Sequence, residues 1–380
     1  MADSICAALW SHGRVDVSMK VYPCCRWRTT NPVDKACLPH ISNGIESAIN
    51  SDYFDSVRKR MLAGNVIPQC KQCTNEEAVG VTSMRDRMNE SYGKHINSKP
   101  KIRDLELAFS TQCNLACRMC GPTASSKWEL IVNPGIKVDT SVIANELSNF
   151  DHDWSELDNI KMVGGEPFLA KDHYKYLEYF VTQAHRPEEL TLVYHTNGTI
   201  FPNKNIIDYW KKIKKVRIVL SVDAYGKLNN YLRPGQSDWE TINANLDKFK
   251  NIPGVNVEIG THSVISNISA LHLYELVDWL DKTVDFNNSS FDILVGPYHL
   301  SIMHLVESEK SKIKEHIELI RKDLSHINEL ESKVIGIVEL ALLQHSTPQF
   351  TLEDIAKQEK QLDKYFKQDF YNDTIHSTSR

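Results

Sequence analysis

Cys113-Asn114-Leu115-Ala116-Cys117-Arg118-Met119-Cys120 places three cysteines in the spacing C-x3-C-x2-C. A cubane [4Fe–4S] cluster has four irons and usually takes four thiolates, often from close-spaced cysteines. Three thiolates at this spacing would leave the fourth iron open to a small molecule. Short cysteine spacings also serve zinc sites, so the surroundings have to separate the two readings. Upstream, residues 105–110 read as a strand running straight into the cysteine loop. Downstream, a second strand-like run, 160–163, ends in Gly164-Gly165-Glu166-Pro167.

The same alternation continues outward. Strand-like runs stand at 190–195, 216–222, 255–262 and 291–295, with helical patterns at 172–184, 206–213, 239–249 and 271–281 between them. Strands alternating with helices imply an α/β fold with a parallel sheet and right-handed crossovers. In such folds the chemistry gathers at the C-terminal ends of the strands, where both motifs stand. Two further groups end strands: Thr196-Asn197-Gly198, and Ser221-Val222-Asp223 followed by Tyr231-Leu232-Arg233-Pro234-Gly235.

These motifs, in this order, resemble the radical SAM (S-adenosylmethionine) superfamily. The resemblance implies a partial (β/α)6 barrel over residues 99–305. It implies a [4Fe–4S] cluster on Cys113, Cys117 and Cys120 whose open iron is chelated by the amino and carboxylate groups of SAM. It also implies that Gly164, Gly165, Glu166 and Pro167 form the loop at the SAM amino group. Asn197 would belong to the same SAM site, and Ser221 and Arg233 would hold the SAM carboxylate, which suits the paired donors of a guanidinium. Read without the resemblance, Ser221 is an ordinary strand-end hydroxyl and Arg233 a surface ion pair. Glu166 could touch the ligand or only shape its loop, and Gly164 and Gly165 would let a ligand approach the backbone. The position before the third cysteine, usually aromatic in the family, is Met119 here, an apolar and adaptable replacement.

Residues 1–98 hold the other six of the nine cysteines, and none follows Cys120. Cysteines clustered in a reducing compartment point to metal or redox chemistry rather than disulfides. Cys6, Cys24 or Cys25, Cys70 and Cys73 suffice for a second, fully ligated cluster. Together they resemble the twitch domain, the short relative of the SPASM domain, with two widely spaced cysteines and then C-x2-C. The stretch from Cys6 to Cys24 fits that pattern, except that Met19 stands where the family has Gly and that the segment precedes the barrel instead of following it. A structural zinc site is the competing reading, and either metal would be part of the fold. Cys37 and one of Cys24 and Cys25 are surplus. Locally, residues 15–18 and 20–22 suggest a hairpin, and Ser51 and Gly64 bound a helix. Thr74 and Glu77 make a capping box for a helix that follows.

Residues 306–380 form a helical extension. Ile313, Ile317, Ile320, Leu324, Ile327, Leu330, Val334 and Ile337 trace one apolar face of a long helix. Residues 373–380 are expected to be disordered.

The bulk numbers set outer bounds. The chain has 380 residues, enough for about two domains, with 41% hydrophobic and 24% charged residues as in ordinary globular proteins. A net charge of −5 gives no basic excess for nucleic acid. No apolar run is long enough for a bilayer, and Met1-Ala2-Asp3-Ser4 lacks signal-peptide features, so a cytoplasmic location is expected.

The functional expectation is a radical SAM enzyme with SAM, two [4Fe–4S] clusters and a low-potential electron donor of the flavodoxin or ferredoxin type. The substrate is expected to be a peptide or protein, with a small metabolite (nucleotide, sugar or cyclitol) as the alternative. A non-catalytic iron–sulfur redox sensor is the reading from a different class. His195, Asp223, His262, Tyr298 and His299 stand at or near strand ends, where each could face a substrate or merely bond the backbone.

Overall fold

The computed structural model describes residues 5–29, 32–78, 80–108, 110–136, 150, 152–170, 173–183, 186–236, 238–344 and 346–375. Residues 109, 172 and 184, which fall within the strand and helix ranges read above, lie outside these residues, as do 1–4 and 376–380.

Eight strands form one open sheet in the order β2-β1-β3-β4-β5-β6-β7-β8. They are β1 His12–Val15, β2 Val21–Tyr22, β3 Asp104–Ala108, β4 Asn159–Val163, β5 Thr191–Thr196, β6 Lys215–Ser221, β7 Val257–Ile265 and β8 Ser289–Ile293. The run from β3 to β8 is parallel throughout, with helices in the crossovers. This is the architecture of a partial (β/α) barrel. The cysteine-rich N-terminal segment is built into the same sheet: β1 pairs parallel with β3, from His12 opposite Asp104 to Val15 opposite Leu107. β2 then folds back antiparallel on β1. The turn between them is held by Asp16, whose Oδ1 accepts from the Ser18 and Lys20 amides at 2.9 and 3.1 Å. Met19 in this turn has φ +58°, a conformation that favours glycine, at the position where glycine was expected.

Side chains alternate across the strands because the strand period is two. Leu105, Leu107, Ile160, Met162, Leu192, Tyr194, Val216, Ile218 and Leu220 are buried in one continuous core. Among the alternate positions, charged side chains are cross-linked from strand to strand. Glu106 pairs with Arg14 at 3.0 Å and with Lys161 at 3.1 Å. Glu258 pairs with Lys215 and Arg217 at 2.8 and 3.1 Å. Asp292 on β8 meets His262 at 3.4 Å and Arg26, from the N-terminal segment, at 2.6 Å. Arg26 thus ties the N-terminal segment, which occupies one edge of the sheet, to the strand at the other edge.

Two local expectations change. The helix Lys71–Ala78 already contains Thr74, whose hydroxyl donates back to the Cys70 carbonyl at 3.4 Å. The capping box belongs instead to Ser83 and Asp86, at the start of Met84–Tyr92, and Glu77 is taken up by Arg85 at 2.9 Å. The apolar face beyond residue 306 is also split. The helix Glu307–Asp323 ends before Leu324, and Gly336–Leu342 begins a second helix after a π-turn at Glu331–Ile335. Glu329, at φ +63°, marks the break. Leu324, Ile327 and Leu330 remain buried through the turn, so the apolar spacing persists where the helix does not. Among the described residues no helix is long and apolar enough to cross a membrane.

His173 opens the helix His173–Gln183 and is fully buried against the Tyr194 hydroxyl, 2.8 Å from its Nε2. Burial depresses its pKa to about 3. The unfolded chain binds a proton near pH 6.5 and the folded one does not, so stability falls as the pH drops through that window. This histidine alone is expected to cost about 2 kcal/mol between pH 7 and pH 5. Denaturant titrations of His173→Gln should show a loss smaller by that amount; equal losses would contradict this account.

Candidate functional site

The cysteine loop leaves the C-terminal end of β3 and is gripped from three sides. From the β4 loop, the Gly165 amide donates to the Ser110 carbonyl at 2.8 Å and the Glu166 amide to the Gln112 carbonyl at 2.7 Å. From the segment after β6, the carbonyls of Pro234 and Leu232 accept from the Ala116 and Arg118 amides at 2.8 and 2.9 Å. From the following helix, Ser126 Oγ accepts from the Cys113 amide and Trp128 Nε1 donates to the Cys117 carbonyl.

Cys113, Cys117 and Cys120 line a cavity of about 270 Å³ together with Gly164, Gly165, His195, Asn197, Ser221 and Arg233. Residues from the ends of β4, β5 and β6 thus meet the cysteine loop in one place. Burial pushes the Cys113 thiol up to about 11 and the Cys117 thiol up to about 12, the latter against the pull of Arg233. A larger hollow of about 550 Å³ beside Phe201, Ile207 and Ile252 is lined by no cysteine or histidine.

The structure gives these residues more specific tasks than the sequence did. A Cβ on Gly164 would stand 2.5 Å from the Ser110 carbonyl oxygen, and one on Gly165 would stand 2.2 Å from that of Gln112. What requires glycine here is the close seating of one backbone on the other. Gly164 also has φ +126°. Glu166 and Pro167 do not line the cavity, and both are buried. The Glu166 carboxylate accepts from Thr196 Oγ1 at 2.8 Å and from the Asn197 amide at 2.7 Å, which ties the β4 loop to the end of β5. Burial raises its pKa to about 7 while these bonds pull it back. The Asn197 side chain is engaged as well, with Asn114 at 2.9 Å and with Thr199. Arg233 is no surface pair. Its Nε lies 2.6 Å from the fully buried Asp223 carboxylate, and its Nη1 lies 3.7 Å from Cys117 Sγ. Burial opposes its charge, but Asp223 more than compensates and raises its pKa.

The second cysteine set is also brought together. The Cys24 thiol is raised by burial and then by the neighbouring thiols of Cys25, Cys6, Cys70 and Cys73. Burial pushes Cys6 up to about 12 and Cys70 up to about 11, with Arg85 drawing Cys70 back. Cys25, though adjacent in sequence, has other surroundings: Glu106, Lys161, Arg26 and Arg14. The two neighbours thus face different environments, Cys24 the other thiols and Cys25 the polar interior of the sheet. Cys37 is exposed. Among the described residues, no group of three or more His, Cys, Asp or Glu is gathered as the ligands of a single metal ion. A cubane, whose thiolates bind separate irons, does not call for such a group.

Of the strand-end candidates, His195 reaches the cavity and its ring lies 5.8 Å from that of His262. Asp223 is taken by Arg233. His299 bonds Glu359 at 2.6 Å, and Tyr298 is exposed and stacked on His304. Two residues escaped the sequence reading. Asn114 bonds Thr199 and Asn197 from inside the cysteine loop. Arg118, between the second and third cysteines, is completely buried. Its position inside the motif was the only available signal.

Residues 107–279 match the family described as the Radical SAM superfamily. No curated protein matches the chain. Among solved structures, the chain is similar to native anSMEcpe with bound AdoMet, at 18% identity and a TM-score of 0.41, covering 58% of this chain and 60% of that one. It is also similar to Streptococcus suis SuiB bound to S-adenosylmethionine (16% identity, TM-score 0.37, covering 76% and 66%). A third is Streptococcus suis SuiB bound to precursor peptide SuiA (14% identity, TM-score 0.38, covering 77% and 66%). The chain thus spans about 60% of the length of the anSMEcpe structure. The family match begins in β3, takes in the cysteine loop and ends within the helix Leu273–Thr283.

Proposed function

We propose that this protein is a radical SAM enzyme, with the SAM-binding [4Fe–4S] cluster on Cys113, Cys117 and Cys120 and an auxiliary cluster on Cys6, Cys24, Cys70 and Cys73. The observation that carries the reading is the shared cavity. Three thiols, a glycine-walled loop, the Ser221 hydroxyl and the Arg233 guanidinium line one space, and this donor set fits a three-thiolate cluster and a ligand bearing an amino acid. When bound, the reduced cluster and SAM supply a 5′-deoxyadenosyl radical, which abstracts hydrogen from a substrate carbon.

The chain's own residues bind and orient. Arg233, held by Asp223, presents its remaining guanidinium donors to the SAM carboxylate, with Ser221 beside it. Gly164 and Gly165 keep the β4 loop pressed to the cysteine loop, and Glu166 fixes that loop to Asn197. Residues 1–98 are the auxiliary-cluster unit, 99–305 the barrel and 306–380 a helical extension. His195, which lines the cavity, and His262, whose ring lies 5.8 Å from that of His195, would contact the substrate. A peptide or protein is the preferred substrate class, on the twitch-like cysteine pattern; a small metabolite is the alternative. A low-potential flavodoxin or ferredoxin serves as electron donor.

Metal content tests the assignment. Protein reconstituted without oxygen should hold about eight irons and matching sulfide per chain, as two cubanes require. One zinc and about four irons would replace the auxiliary cluster by a structural zinc site.

A further inference from the structure

The Arg118 side chain turns away from the cavity and into a socket made largely by the C-terminal helix Leu352–Phe366 and the residues just after it. Its Nη1 donates to Glu359, and its Nη2 donates to Asp363 and Gln368, each at 2.7 Å. Its Nε donates to the Tyr231 carbonyl at 2.8 Å, and the guanidinium lies 3.7 Å from the centroid of the Tyr231 ring. The Arg118 side chain is 0% exposed and those of Glu359 and Asp363 are 4% and 13% exposed. The other Glu359 oxygen meets His299 Nε2 at 2.6 Å. Gln368 also donates to the Asn230 carbonyl at 3.0 Å. Arg118 is therefore spanned between the cysteine loop, the segment after β6 that also carries Arg233, and a helix some 240 residues away in sequence.

We propose that Arg118 is a positioning residue for the three thiols, and that the C-terminal helix, through Glu359 and Asp363, sets the shape of the cysteine loop and hence its capacity to hold a SAM-responsive cluster. This rests on the cluster assignment made above for Cys113, Cys117 and Cys120. Only two residues separate Cys117 from Cys120, so a loop anchored at Arg118 is anchored at its ligands. A planar guanidinium can fork to several acceptors at once, which an ammonium cannot. Removing one partner of a buried ion pair leaves uncompensated charge and destabilises a fold, whereas removing all the charges is often tolerated. That difference separates a positioning role from a purely structural one.

The test compares Arg118→Met, the triple variant Arg118→Met/Glu359→Gln/Asp363→Asn, and Ile317→Ala. The last is a buried position in Glu307–Asp323, away from the socket, and controls for general destabilisation. Each full-length protein is reconstituted, and three quantities are read: melting temperature, iron per chain, and the change in the EPR spectrum of the reduced protein on adding SAM. Arg118→Met is expected to melt lower, to lose about half its iron and to lose the SAM-dependent spectral change. The triple variant is expected to regain melting temperature but not the SAM response. Ile317→Ala is expected to melt lower and keep the response. A SAM response in Arg118→Met, or its recovery in the triple variant, overturns the proposal. So does its loss in Ile317→Ala. A wild-type protein with iron but no SAM response sinks the cluster assignment itself, before any variant is compared.

Discussion

Replacing Cys113, Cys117 and Cys120 together by alanine is expected to abolish cleavage of SAM while leaving about half of the iron bound. The reason is spatial separation. These three thiols share a cavity with Gly164, Gly165, Ser221 and Arg233, and none of the other six cysteines lines it. Cys6, Cys24, Cys70 and Cys73 influence one another instead, within the N-terminal segment. Two cubanes on these separate thiolate sets should be lost separately, because each set would bind its own metal. Iron analysis and 5′-deoxyadenosine chromatography on the same sample check both halves. A variant that loses all its iron removes the auxiliary-cluster assignment. One that still cleaves SAM removes the other.

The second large effect is expected at Gly165. In Gly165→Ala the new methyl would stand 2.2 Å from the Gln112 oxygen, 2.6 Å from its carbon and 2.8 Å from the Thr111 carbonyl carbon. All three are backbone atoms, so no side-chain rotation makes room. The β4 loop must lift from the cysteine loop, at the expense of the hydrogen bonds from Gly165 and Glu166 to Ser110 and Gln112. Overpacking plus broken buried hydrogen bonds should cost about 2–4 kcal/mol. Because the same loop walls the cavity, SAM affinity should fall by about a hundredfold or more, a factor that corresponds to about 2.7 kcal/mol. Gly93→Ala is the comparison, since nothing lies within 4 Å of its added methyl. It should change stability by less than about 0.5 kcal/mol. Calorimetry and SAM titration of both variants decide the matter. A Gly165→Ala protein that melts and binds like the wild type would contradict the packing argument.

The parallel run β3 to β8 was legible because each strand is followed by a segment of helical period, and because two motifs mark strand ends. β1 and β2 carried little signal as members of that sheet, since strands of four and two residues show almost no periodicity. Thr74-x-x-Glu77 and Ser83-x-x-Asp86 are nearly equivalent as capping patterns. The fold separates them: the helix around Thr74 already begins at Lys71, and Glu77 is taken up by Ser83 Oγ at 2.6 Å and Arg85 at 2.9 Å. Cys24 and Cys25 differ by one position, and the direction of the chain at that point decides which faces the other thiols. The glycine pair was legible as important, but its physical reason was not. Sequence suggested access for a ligand, and the structure shows backbone carbonyls where the side chains would be. Arg118 was hidden more deeply, because its partners Glu359 and Asp363 lie 241 and 245 residues further along the chain.

The cavity lined by Cys113, Cys117 and Cys120 is expected to support reductive cleavage of SAM. The most direct measurement is formation of 5′-deoxyadenosine by the protein reconstituted with iron and sulfide without oxygen, reduced, and given SAM. Slow production in the absence of any substrate is the predicted result, and it would provide the assay for comparing peptides with small metabolites. No 5′-deoxyadenosine from protein that holds both clusters would contradict the account and favour a non-catalytic iron–sulfur sensor.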